Sequence, residues 1–482
     1  MSTPLPGSSV FDSSPESNRP RLQRSHSSQE GTDISYQVQT PSGRSSADYN
    51  DSHLDDLEKS LPIDTIPSLH LQSLHSQRGS SHDNKTHETG PPPKTKSITP
   101  AEPPPPQPRL SIRARLAHFT WAWYTLTMST GGLALLIQAQ PHAFPGLSQI
   151  GLAVYVVNIV VFVLVTTALA ARFALFRGTL VRSLTHPREG FFFPTFFLSL
   201  ATLITSTQRY CVPPDPEVAR DSAGRLLGAI RIAFWIYVAL TTSVAVGQYS
   251  YVFATTHSFG LQTMMPTWIL PIFPIMLSGT IASVISETQP AASGVSIVVA
   301  GLTCQGLGIA VAFMMYAHMV GRLMQSGLPN REHRTGLFMC VGPPAFTALA
   351  FIGMARGLPE NFDHDMDGLI DTNFIETLGL IGAGFLWALS FWWFGIAILA
   401  VAQSPPKHFH LGWWAAVFPN TGFTLATISL GAAFQNDAIL WFSTAMSILL
   451  VLTYLFVLYH HVRAVIVQDI MYPGRDEDVE DH

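Results

Sequence analysis

From about Phe119 onward the chain is a succession of apolar runs of 20 or more residues separated by short polar connections. They recur about every 37 residues, the spacing of membrane helices joined by short loops. Ten spans are predicted, at roughly 119–139, 150–171, 190–210, 227–248, 264–286, 294–316, 335–355, 374–400, 410–433 and 438–460. The first 110 residues carry no such run. They hold 16 of the 35 prolines and 21 serines but only three aromatic residues, Phe11, Tyr36 and Tyr49, too little apolar surface to bury a core. The expected fold is an all-α polytopic membrane protein: a disordered Ser/Pro-rich tail over 1–110, a ten-helix domain over 111–466 and a short acidic tail over 467–482.

Proline placement divides the predicted spans into two classes. The third contains Pro194, the fifth Pro266, Pro271 and Pro274, the seventh Pro343 and Pro344, and the ninth Pro419. The first has Gly131-Gly132 instead, and the even-numbered spans have no internal proline. The repeat is thus a helical hairpin, one bendable member and one straight member, used five times. A proline inside a lipid-facing helix leaves a carbonyl unbonded in hydrocarbon, which is costly unless protein or water satisfies it. The bendable helices are therefore expected inside, lining a central pore, with the straight ones around them. The competing reading is that membrane helices tolerate scattered prolines.

Composition sharpens this picture. Of 482 residues, 47% are hydrophobic and 12% charged, about half the charged share of a soluble protein. The net charge of −5 includes about −3 from the tail, and no basic stripe suited to nucleic acid exists. Cys211, Cys304 and Cys340 provide neither a disulfide framework nor metal-ligand spacing, and no cofactor is expected. One set of connections carries Arg109, Arg113, Arg115, Arg172, Arg177, Arg182, Arg188, Arg322, Arg331, Arg334, Lys407 and Arg463. The other carries Arg209, Arg220, Arg225, Arg231 and Arg356. Positive residues stay inside, so both termini are expected in the cytoplasm. With no signal-peptide pattern ahead of it, the first span is expected to direct its own insertion. Sugar on the Asn84-Lys85-Thr86 sequon would invert this topology.

No predicted span has a carboxylate near its centre; Glu287, Glu376, Asp437 and His318 fall at span ends. A mechanism using a buried carboxylate is thereby disfavoured, as is a cation pathway, which needs an acidic ring. The bendable spans offer hydroxyls instead, and Thr130, Thr205, Thr280, Thr347 and Thr424 are the candidate pore residues. Hydroxyls can donate to an anion without a fixed charge that would trap it, although Ser and Thr also join membrane helices together. Arg209 and Arg231 are the cations nearest the membrane interior and could bias the pathway toward anions. Snorkelling to the outer interface competes for both.

Weaker patterns remain. Asp363, Asp365 and Asp367 begin a calcium-loop pattern, but Phe374 stands where the closing Glu belongs, so a solvated acidic loop is the preferred reading. His408, His410, His460 and His461 read as interfacial side chains with some pH sensitivity. Arg21–Ser28, Arg78–Ser81 and Thr99-Pro100 look like kinase substrates in the tail. No phosphate-binding G-x-x-x-x-G-K-[ST] loop is present, and no clustered His, Asp, Glu or Cys at membrane depth supports an enzyme.

Four segments carry a family resemblance: Phe119–Gly132 (FTWAWYTLTMSTGG), His186-Pro187-Arg188-Glu189, Trp268–Pro274 (WILPIFP) and Trp413–Asn420 (WWAAVFPN). In this order they resemble the fungal malic-acid transport proteins of the tellurite-resistance/dicarboxylate transporter family. That family also includes fungal sulfite efflux pumps and plant slow-type anion channels. The likeness covers about 115–462 and implies ten helices as five hairpins around a pore. It implies a pore gate at Phe418, since family members place a phenylalanine there, immediately before the ninth-helix proline, and an apolar ring at a constriction blocks ions by dewetting. It further implies a multi-pass plasma-membrane transporter of C4-dicarboxylates such as malate, with sulfite as the alternative anion, and a homotrimer in the lipid bilayer.

Overall fold

The computed structural model describes residues 108–255, 264–358 and 372–475. The calcium-pattern residues Asp363, Asp365 and Asp367, the sequon at Asn84, the kinase motifs and residues 476–482 lie outside this set.

The described residues are helical, with no strand among them. A short α1 (Ile112–Leu116) is capped by Ser111, whose hydroxyl accepts from the Ala114 amide. There follow α2 (Tyr124–Gln138), α3 (Leu147–Leu175), the small α4 (Thr179–Thr185), α5 (Pro194–Cys211), the small α6 (Pro216–Ser222) and α7 (Gly224–Ala254). The second half has α8 (Phe273–Ile285), α9 (Ala291–Ser326), α10 (Gly342–Arg356), α11 (Thr372–Gln403), α12 (Phe418–Ala433) and α13 (Asp437–Val467). Short and long helices alternate: α2, α5, α8, α10 and α12 have 13 to 18 residues, and α3, α7, α9, α11 and α13 have 29 to 36.

Each short helix is preceded by a 3-10 segment: Trp121–Trp123, Glu189–Phe192, Pro266–Ile269, Arg331–Val341 and Leu411–Ala416. This relocates the bends. Pro194, Pro274, Pro343, Pro344 and Pro419 stand in the first turn of α5, α8, α10 and α12, where a missing N–H costs nothing because that turn has no intrahelical acceptor for it. Pro271 sits in the turn between the 3-10 segment and α8. The prolines therefore start short α-helices rather than kink long ones. α2 runs unbroken through Gly131 and Gly132.

Among the described residues, seven segments are long and apolar enough to cross a membrane: Leu147–Leu175, Glu189–Cys211, Gly224–Ala254, Ala291–Ser326, Arg331–Arg356, Thr372–Gln403 and Asp437–Val467. Phe273–Ile285 is a shorter apolar helix. The five short helices form a closed ring, each packed on the next and α12 returning to α2. The long helices lie outside: α3, α7, α11 and α13 are less than a third buried over their most apolar stretch, against 83% for Arg331–Arg356. Their outer faces carry Val156, Val160 and Val163, Ile232 and Ile236, Phe385 and Trp392, side chains that a surface open to water would not gather in such numbers. Helices apolar on both faces are membrane helices.

At the end of α3 a buried pair closes the structure. Arg172 and Glu189 meet at 2.5 Å with both side chains buried. Ser183 donates to Glu189 at 2.7 Å and Arg172 donates to the Phe119 carbonyl at 2.8 Å. Enclosed charges are tolerated because each finds hydrogen-bond partners. The pair ties the starts of α2 and α5 together, which gives the His186–Glu189 segment a structural role.

Candidate functional site

The ring of short helices encloses a cavity to which all five contribute. Its wall is Gly132 and Leu135 of α2, Ala201, Thr202 and Thr205 of α5, Leu277, Thr280 and Ile281 of α8, Phe346 of α10, and Phe418, Thr421 and Leu425 of α12. No charged side chain is among them. The space open to the centre of a water-sized sphere is about 20 Å³, enough for one or two waters and too small for a dicarboxylate.

Phe418 is 1% exposed and belongs to an aromatic cluster. Its ring stacks on Phe346 at 5.1 Å between centroids and touches Phe273 at 6.1 Å, and Phe273 and Phe346 meet edge to face at 5.8 Å. Phe418 and Phe273 occupy equivalent places, each the first residue of its short helix and each followed by proline; Phe193-Pro194 repeats the dipeptide at α5. Gly132 faces the cluster, and a Cβ built there would lie 3.3 Å from the Phe418 ring. The glycine pair thus permits close helix approach.

The five candidate hydroxyls divide. Thr205 and Thr280 line the cavity, joined by Thr202 and Thr421; Thr130, Thr347 and Thr424 are not part of its wall. Tyr454 of α13 meets Thr130 at 3.0 Å and Gln305 of α9 donates to Thr347 at 2.7 Å. These contacts belong to a repeated device, in which each long helix places a polar side chain on the following short helix. Tyr155 of α3 meets Thr207 at 2.6 Å, Tyr237 of α7 donates to the Pro274 carbonyl at 2.8 Å, and Trp387 of α11 donates to Thr427 at 2.8 Å. Polar groups turned away from the cavity are satisfied there, as a low-dielectric surrounding demands. Thr424 donates to its own helix at Asn420.

The lining hydroxyls are also engaged with backbone. Thr202 donates to Ser199 O at 2.8 Å, Thr205 to Ala201 O at 2.8 Å and Thr421 to Val417 O at 3.1 Å. Their protons are thus committed to backbone carbonyls. The arginines stand apart from it: Arg231 donates to Ser293 of α9 at 3.0 Å, and Arg209 is exposed in the last turn of α5.

The histidines serve packing. His410 bonds the Glu332 carbonyl, the Glu332 carboxylate accepts the Lys407 and His408 amides, and Trp414 donates to His461 at 3.1 Å. No group of three or more potential metal ligands occurs among the described residues. Sequence reasoning missed Phe273 and Phe346; the repeated Phe-Pro dipeptide was the signal for the first, and nothing local marks the second.

A ring of short apolar helices around a narrow, uncharged cavity, jacketed by long lipid-compatible helices, is the architecture of a membrane channel or carrier. The chain belongs to the voltage-dependent anion channel family, whose model matches residues 118–462. It is 35% identical over 375 residues to the malic acid transport protein of Schizosaccharomyces pombe, covering 77% of this chain and 84% of that one. A putative malic acid transport protein of the same organism is 31% identical over 377 residues, covering 77% and 86%. The sulfite efflux pump of Trichophyton rubrum is more distant, 26% identical over 326 residues, covering 67% and 84%.

Proposed function

We propose that this protein carries C4-dicarboxylate anions such as malate across the plasma membrane, through the centre of the ring of five short helices, and has no enzymatic activity. The carrying observation is the cavity wall, to which every short helix contributes and no fixed charge does. A neutral wall neither repels an anion with a carboxylate nor traps it with a deep cation. In this reading the five short helices, completed by their 3-10 segments, and the five long ones make ten spans, with both termini cytoplasmic as the Lys and Arg distribution implies.

Phe418 is the gate. Its ring, held between Phe273 and Phe346, closes the cavity, and opening moves it off the axis. Thr202, Thr205, Thr280 and Thr421 then supply donors once their hydroxyls leave the backbone carbonyls. Arg209 and Arg231 contribute at most a distant field from the outer end. The N-terminal tail, with its kinase motifs, is a cytoplasmic regulatory segment, and the protein assembles as a homotrimer.

Malate is preferred over sulfite because the relatives called malic acid transport proteins share 31–35% identity with this chain, against 26% for the sulfite efflux pump. The test is uptake of radiolabelled malate and of sulfite into vesicles containing the purified protein, at two pH values. Malate is expected to move faster than sulfite. A protein that moves neither contradicts the reading.

A further inference from the structure

Each of the five long helices puts a hydrogen-bonded side chain onto the next short helix, at a point away from the cavity wall. The first long helix, α3, makes such a contact through Tyr155 and Thr207 but carries a second polar side chain one turn on. Asn158 is fully buried, and neither atom of its carboxamide has a hydrogen-bond partner. Burying an unpaired carboxamide is costly, and such a group in a native fold calls for a purpose.

Its surroundings indicate one. Asn158 reaches into the gap that Gly131 leaves in α2. A Cβ built on Gly131 would fall on Thr202 Oγ1 and would lie 2.7 Å from Asn158 Nδ2, so the two polar atoms flank the same opening. Thr202 is a cavity-wall residue, unlike Thr130, Thr347 and Thr427, the threonines that the other long helices hold. At this one seam, an amide from the outer layer stands directly behind a pathway hydroxyl.

We propose that Asn158 is a positioning residue for anion selection. Thr202 now gives its proton to Ser199 O. When the pathway opens and Thr202 turns that proton to a passing carboxylate, its oxygen accepts from Asn158 Nδ2. The chain amide to hydroxyl to anion is made of neutral donors, each polarising the next. It favours oxyanions, which form short charge-assisted bonds with hydroxyls, over chloride, a weaker acceptor. Gly131 is required because any side chain there would separate the two groups.

The inference rests on the transport reading above. Its test is malate and chloride flux through the purified full-length protein in liposomes, for wild type, N158L, T202V, T202S and N158L/T202V. N158L and T202V are each expected to lower malate flux about tenfold while chloride flux falls no more than about threefold. The double variant should be no worse than either single one, because both break the same relay, and T202S should recover the wild-type malate-to-chloride ratio. An unchanged ratio in N158L, or additive losses in the double variant, overturns the inference, since a purely structural Asn158 would lower both fluxes together. If N158L does not reach the membrane, equal ratios in T202V and T202S overturn it. A wild-type protein that moves neither anion overturns the transport reading itself; a working wild type with unaltered ratios in the variants overturns this inference alone.

Discussion

Replacing Phe418 by Ala is expected to raise anion flux. The ring is 1% exposed and contacts two others, Phe346 at 5.1 Å and Phe273 at 6.1 Å. Each such contact contributes about 0.5–1.5 kcal/mol beyond simple burial, so swinging the wild-type ring off the axis costs about 1–3 kcal/mol from these two pairs. Alanine has no ring to move. If gating limits transport, the variant gains that energy, which at about 1.4 kcal/mol per decade is a rise of about 5- to 150-fold. The cavity beside Gly132 and Thr421, about 20 Å³ in the wild type, widens at the same time. The assay is malate uptake normalised to protein in the membrane, because loss of a buried phenylalanine also destabilises by about 3–5 kcal/mol and lowers delivery. A Phe418→Leu variant should lie between the two. Unchanged or lower flux per delivered Phe418→Ala molecule would refute the gate.

Gly131→Ala should destabilise the protein by about 1–3 kcal/mol through overpacking, because its methyl would meet Thr202 and Asn158; the midpoint of thermal unfolding in detergent reads this directly, and an unchanged midpoint would show that α2 and α5 are not in close contact there. Arg172→Met should cost about 3–5 kcal/mol by stranding the buried Glu189 charge, whereas Arg172→Met combined with Glu189→Leu should recover most of it. Equal melting temperatures for the single and double variants would remove the pair from its structural role.

Much of the architecture was legible because proline and glycine punctuate the apolar pattern. The alternation of Pro194, Pro274, Pro343 and Pro419 with proline-free spans separated the inner from the outer helices. What the pattern did not reveal is how a proline is used. The same Pro419 kinks a long helix or begins a short one, depending on whether the residues before it are held in a 3-10 segment, and tertiary packing decides that. Gly131-Gly132 was ambiguous in the same manner: glycine signals flexibility and close approach alike, and only the presence of Thr202, Asn158 and Phe418 opposite selects the second.

The hydroxyls show where one-dimensional reasoning ends. Thr205 and Thr280 face the cavity while Thr130 and Thr347 face outward to Tyr454 and Gln305, a difference of rotation about the helix axis that helices buried on all sides do not record in their hydrophobic pattern. Asn158 carried no signal in the sequence, being a single amide in a long apolar run. Arg231 was legible as a charge near the start of α7, but its direction toward Ser293 depends on the neighbouring helix.

The proposed route takes anions through the middle of the five-helix ring. Cysteine substitution in the Phe418→Ala background, with exposed Cys211 replaced by Ser, tests it most directly. Thr205→Cys, Thr280→Cys, Thr130→Cys and Thr347→Cys would each be treated with a small anionic thiol reagent while malate flux is followed. Block is expected at 205 and 280, slowed by excess malate, with no effect at 130 or 347. Equal reactivity at all four positions, or flux indifferent to modification at 205 and 280, would place the pathway elsewhere.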